Sequence, residues 1–84
     1  MNDMLKYPLS TEKAVRLMES ENKLIFVVDR KANKKEVKKH FEKLFKVKVV
    51  KVNTFIDGQG RKRAYIKIAR EYPAIDIMTQ LGVM

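Results

Sequence analysis

Eighty-four residues make one domain and leave no room for a second. Nineteen Lys and Arg against ten Asp and Glu give a net charge of +9. On so small a chain that excess favours a polyanionic partner, because each phosphate neutralised releases a condensed counterion. The alternative from charge alone is a solvated, self-repelling surface of the heat-adapted kind. With no cysteine, disulfides, thiolate metal sites and cysteine nucleophiles are excluded.

Met1 to Lys6 lacks the apolar run of a signal peptide, and no stretch approaches membrane-spanning length, so a soluble, intracellular chain is expected. Tyr7-Pro8-Leu9-Ser10-Thr11 reads as an extended lead-in ending in a helix cap, with Ser10 positioned to accept from the first free amides. A short helix follows, with Ala14, Leu17 and Met18 on one side, and Asn22-Lys23 breaks it. Leu24 to Val28 is apolar at every position, which predicts a strand covered on both faces. After a turn at Asp29 to Ala32, Asn33-Lys34-Lys35-Glu36 has the N-cap and N3 pairing of a capping box. Val37, Phe41, Leu44 and Phe45 then mark one face of a lysine-rich helix.

Lys46 to Asp57 alternates as a strand, with Val50, Val52 and Ile56 on one face. Val49 beside Val50 signals a bulge or a second covered face. Asp57-Gly58-Gln59-Gly60 is a tight turn, and Arg61-Lys62-Arg63 leads into the alternating strand Ala64 to Ile68, completing a hairpin. Pro73 at a first-turn position opens a last helix, with Ala74, Ile77, Met78 and Leu81 inward and Gly82 as its stop. The predicted order implies an α+β fold: an antiparallel sheet of three to four strands, of split β-α-β type, with helices on both faces.

No catalytic constellation is visible. His40 is the only histidine and lies beside the apolar face of its helix, as a boundary residue would. Gly58-Gln59-Gly60 precedes a strand, whereas a phosphate loop needs a following helix N-terminus. The triplet Arg61-Lys62-Arg63 is different: three adjacent cations repel unless something neutralises them, and a phosphate backbone is the natural candidate. Phe55 and Tyr65 are available for base stacking, but the glycine-aromatic signature of an RNA-recognition motif is absent. Phosphate and sugar contact with folded RNA is therefore the expected mode. Two rivals stay open: a free-standing regulatory RNA-binding module, and a small ferredoxin-like enzyme.

Four stretches carry a resemblance. They are Pro8-Leu9-Ser10-Thr11-Glu12-Lys13-Ala14; Ala32-Asn33-Lys34 with Glu36-Val37-Lys38; Leu44-Phe45-Lys46-Val47-Lys48-Val49 running on to Val52-Asn53-Thr54; and Lys62-Arg63-Ala64-Tyr65-Ile66-Lys67. In this order the chain resembles the large-subunit ribosomal protein family L-twenty-three, in its short archaeal form. It departs at Ile68, where the family usually has Leu. It departs also at Asp57 to Gly60, a mere turn where bacterial members insert a long tunnel-reaching extension.

The resemblance implies one ribosomal RNA-binding domain over residues 1–84, in the large subunit of cytoplasmic ribosomes. It implies a non-enzymatic role in translation, with no cofactor, no small-molecule substrate and no membrane insertion. The RNA is domain III of large-subunit rRNA, beside the polypeptide exit tunnel. The implied partners are neighbouring proteins of the L-twenty-nine family, the signal recognition particle and the protein-conducting channel. The family's RNA-facing positions map onto Ser10, Thr11, Lys13, Asn33, Lys34, Asn53, Thr54, Arg61, Lys62, Arg63 and Lys67, and its factor-docking acid maps onto Glu12. Residue chemistry agrees at two places. Asn53 and Thr54 are short polar side chains suited to phosphate or 2′-hydroxyl groups, and Asn33 caps a helix N-terminus flanked by lysines.

Overall fold

The computed structural model describes residues 4–82. The first three residues of the Met1–Lys6 segment and the last two of the 1–84 span lie outside them. Seven elements follow in chain order: β1 Leu5–Pro8, α1 Glu12–Glu21, β2 Lys23–Val28, α2 Lys34–Phe45, β3 Val49–Ile56, β4 Lys62–Ile68 and α3 Ala74–Gln80. The strands form one four-stranded antiparallel sheet in the order β1-β2-β4-β3. Strand β4 returns between β2 and β3, as the split β-α-β reading requires. The extended lead-in at Tyr7-Pro8 is itself a strand, paired with β2 at the sheet edge.

Local chemistry explains most boundaries. Thr11, not Ser10, caps α1: its hydroxyl oxygen accepts from the Ala14 amide at 3.2 Å, whereas Ser10 sits one residue too early. The predicted capping box is present on α2. Asn33 Oδ1 accepts from the Glu36 amide at 2.8 Å, and Glu36 Oε1 accepts from the Asn33 amide at 3.0 Å. Pro73 proves to be the N-cap of α3, not its first helical residue, and has no side-chain oxygen to offer.

Asn22 supplies what Pro73 cannot. It closes α1 in the left-handed conformation at φ 55°, which asparagine tolerates better than most residues. Its Oδ1 accepts from the Ala74 amide at 2.7 Å. Its Nδ2 donates to the carbonyls of Ile68, Ala69 and Tyr72 at 2.9, 3.2 and 3.1 Å. One side chain thus ties the end of α1 to the start of α3.

The core lies on one face of the sheet. Leu24, Phe26 and Val28 of β2, Val49 and Val52 of β3, and Ala64, Ile66 and Ile68 of β4 point into it. Met18 of α1, Val37 and Phe41 of α2, and Ala74, Ile77 and Met78 of α3 close over them. Phe41 meets Phe26 edge-on at 5.5 Å between ring centroids and Phe45 at 4.6 Å.

Four apolar residues depart from their predicted places. Leu44 is exposed, because the buried stripe runs Val37–Phe41–Phe45 and Leu44 falls about 60° off its centre at 100° per residue. The bulge foreshadowed by Val49-Val50 is present between Val49 and Lys51. It shifts the alternation, so Val49 and Val52 face inward while Val50 is turned out. Ile56, at the strand end, is also exposed, as is Leu81 beyond the last turn of α3.

On the opposite sheet face, β2 places Ile25 and Val27, both buried, beside Tyr65 and Arg63 of β4 and Tyr7 of β1. Helix α1 reaches both faces at this margin. Met18 enters the core, and Lys13 stands over the Tyr65 ring at 5.9 Å.

Candidate nucleic-acid interface

Strand alternation sorts the cationic triplet. Arg61 and Arg63 share the face opposite the core with Tyr65 and Lys67, whereas Lys62 points to the core side. There the Lys62 ammonium donates to the Ala32 carbonyl, beside the Asn33 cap and the exposed Lys34. The three cations do not crowd one spot, as their adjacency suggested.

Asp57 does the neutralising that the sequence seemed to require of a ligand. Its Oδ1 accepts from the Gln59 and Arg61 amides at 2.8 and 3.0 Å, fixing the turn. Its Oδ2 accepts from Arg63 Nε at 2.9 Å and Arg61 Nε at 3.3 Å. Gly60, at φ 81°, supplies the left-handed residue that brings the chain back. Burial pushes the Asp57 carboxyl up, but the Arg61 and Gln59 amides and the Arg63 guanidinium outweigh it. The carboxyl is held below its ordinary value of 3.8. Arg61 is braced from its far side, its terminal nitrogen donating to the Tyr7 hydroxyl at 3.1 Å.

The same face carries Lys51, Asn53 and Phe55 from β3, in register with Lys67, Tyr65 and Arg63. Phe55 and Tyr65 lie 5.2 Å apart between centroids at 42°. Among the candidate positions, this surface gathers Lys13, Asn53, Arg61, Arg63 and Lys67. Thr54 is not among them: it is half-buried opposite Ala64 on the core side. Asn33, Lys34 and Lys62 form a second group at the start of α2. Thr11 and Asn33 already spend their side-chain oxygens on helix amides. Ser10 is exposed. Glu12 is exposed and paired with Arg16 at 2.6 Å, one turn along the helix. His40 is half-buried on α2, at the boundary position expected of it.

Sequence reasoning missed Tyr7, Lys51 and the role of Asp57, and it set Phe55 and Tyr65 aside as a stacking pair. Alternation carried through both strands of the hairpin places 51, 53 and 55 beside 63, 65 and 67. An acid four residues before one arginine and six before another was the available clue to Asp57.

A small α+β domain with one packed sheet face and one cation-lined face belongs to the class of basic domains shaped for a polyanion. Comparison with known proteins narrows this. A family model described as Ribosomal protein L23 matches residues 3–75. The chain is 48% identical over 81 residues to the "Large ribosomal subunit protein uL23" of Pyrobaculum aerophilum, covering 96% of this chain and all of that protein. It is 46% identical over 81 residues to the protein of the same description from Trypanosoma brucei brucei, covering 96% of this chain and 49% of that one. The chain belongs to the Ribosomal protein L23 family.

Proposed function

We propose that the chain is a structural, non-catalytic constituent of the large ribosomal subunit, working in translation in the cytoplasm as one RNA-binding domain over residues 1–84. It binds domain III of large-subunit rRNA beside the exit tunnel, next to a protein of the L-twenty-nine family. The observation that supports this best is the sheet face that gathers Lys13, Asn53, Arg61, Arg63 and Lys67. Arg61 and Arg63 are held by Asp57 through Nε, and an arginine so oriented loses less freedom when it donates to a phosphate. The start of α2, with Asn33, Lys34 and Lys62, adds a second point of attachment, and Ser10, Thr11 and Thr54 are further RNA-contact positions of the family reading. Glu12, exposed on the first turn of α1, offers an acid to factors that meet the nascent chain: the signal recognition particle and the protein-conducting channel.

Binding of the whole chain to a domain III fragment, against an unrelated structured RNA of equal length at physiological salt, tests the proposal. A preference of at least about a hundred-fold is expected, in the usual range for specific over non-specific binding. Replacing Arg61, Arg63 and Lys67 together by Ala should weaken binding and flatten the salt dependence, by about 0.7 to 0.9 in slope for each phosphate no longer neutralised. Equal affinity for both RNAs would refute the ribosomal reading, and an unchanged slope would remove this face from it.

A further inference from the structure

We infer that the sheet face opposite the core is also a stacking site, and that Phe55 takes an unpaired nucleobase of the bound RNA on its ring. The inference rests on the RNA-binding reading and adds to it a ligand class that cation count alone does not supply.

Phe55 is a large apolar side chain that the fold leaves partly in solvent. It stands on the face opposite the core, between Asn53 and the turn, and 44% of it is exposed. Its ring touches Tyr65, which is itself flanked by the Lys13 ammonium. Tyr65 is thereby braced from two directions, and Phe55 is the member of the pair with surface to spare.

Its surroundings match a nucleotide. Arg63 is its cross-strand partner, and with Nε taken by Asp57 the terminal amino groups remain donors for a phosphate. Asn53 lies two residues along the same face, opposite Tyr65, with an amide that both donates and accepts. Such a group reads a base edge or a 2′-hydroxyl. An aromatic platform between cations is the arrangement by which proteins hold single-stranded nucleic acid. An apolar protein surface would instead have to desolvate Lys13, Arg63 and Lys67 without compensation, so the charge complementarity selects RNA.

The test compares the whole chain with its Phe55→Ala, Phe55→Leu and Phe55→Trp variants. Two probes are used: the domain III fragment, and a fully paired RNA duplex of equal length, which offers no unpaired base. Circular dichroism and thermal unfolding confirm that each variant keeps its fold. Stacking predicts a loss of about ten- to a hundred-fold on the domain III fragment for Ala, and nearly as much for Leu, with Trp close to the unsubstituted chain. Because no charge is removed, the salt slope should stay parallel, and duplex binding should not change. Unchanged affinity of Phe55→Ala for the domain III fragment overturns the inference while leaving the RNA reading intact. So does an equal loss on both probes, or retained RNA binding alongside impaired binding of a ribosomal protein neighbour. Absence of any preference for the domain III fragment in the unsubstituted chain overturns both together.

Discussion

Replacing Asn22 by alanine should destabilise the protein far more than its half-exposed position suggests. The structure assigns it three separable costs. Alanine at φ 55° meets the left-handed penalty of about 1 kcal/mol. The Ala74 amide loses its cap, worth about 1 kcal/mol. The carbonyls of Ile68, Ala69 and Tyr72 lose a donor group with two hydrogens, worth about 2 kcal/mol at about 1 per net bond. The sum is about 4 kcal/mol, a large share of the roughly 4–13 kcal/mol expected for a chain of this length. Urea denaturation of the two proteins, with the same slope against denaturant, measures it. Asn22→Gly separates the terms, because glycine accepts the left-handed conformation and forfeits only the bonds. Glycine should therefore be about 1 kcal/mol milder. A loss below about 1 kcal/mol for Asn22→Ala would refute the tether, and equal losses for Gly and Ala would refute the conformational part.

Phe41→Ala should cost about 3–5 kcal/mol, whereas Leu44→Ala, equivalent by periodicity but exposed, should stay within about 0.5 kcal/mol; thermal unfolding separates them. Asp57→Asn keeps an oxygen for the turn amides but replaces the one that holds Arg61 and Arg63. Because the Asp57 carboxyl is held low, its stabilisation is present above the ordinary value of 3.8 and is lost as pH falls through the lowered one. Melting curves of the two proteins should thus differ at neutral pH and converge in acid; parallel curves would contradict the network. Glu12→Lys should change stability by no more than about 0.5 kcal/mol, since its pair with Arg16 is exposed. It should leave incorporation into ribosomes intact and weaken signal recognition particle binding in a sedimentation assay, and undiminished binding would exclude the docking role.

The legible parts of this fold are those decided by neighbours in sequence. The Asn33–Glu36 box, the Asp57–Gly60 turn and the continuous apolar run of β2 all depend on residues a few positions apart. So does the bulge, although its sign was not legible: whether Val49 or Val50 turns inward is decided by the pairing with β4. Leu44 obeys the helical period, but the sheet takes the stripe through Val37, Phe41 and Phe45, and Leu44 falls outside it. The choice of Thr11 over Ser10 as cap is a one-residue matter that either hydroxyl could have met. Asn22 was readable as a helix stop and unreadable as a clasp, because its partners lie 46 to 52 positions downstream. The candidate interface divides in the same way. The cations were visible as a triplet, but their distribution over two faces follows from strand alternation, and their neutralisation follows from Asp57 across the turn.

The sheet order has a consequence for how the chain acquires its shape. Strand β4 is central in the sheet but second to last in the chain, and it pairs with β2 across gaps of about forty positions. Until β4 is available, β2 can pair only with the short β1, and β3 has no partner at all. Folding is therefore limited by one long-range closure and should run as a single cooperative event, with the capped α2 forming early and the sheet waiting. A chain truncated before Lys62 loses the centre of its sheet, not an edge, and should populate no stable partial structure.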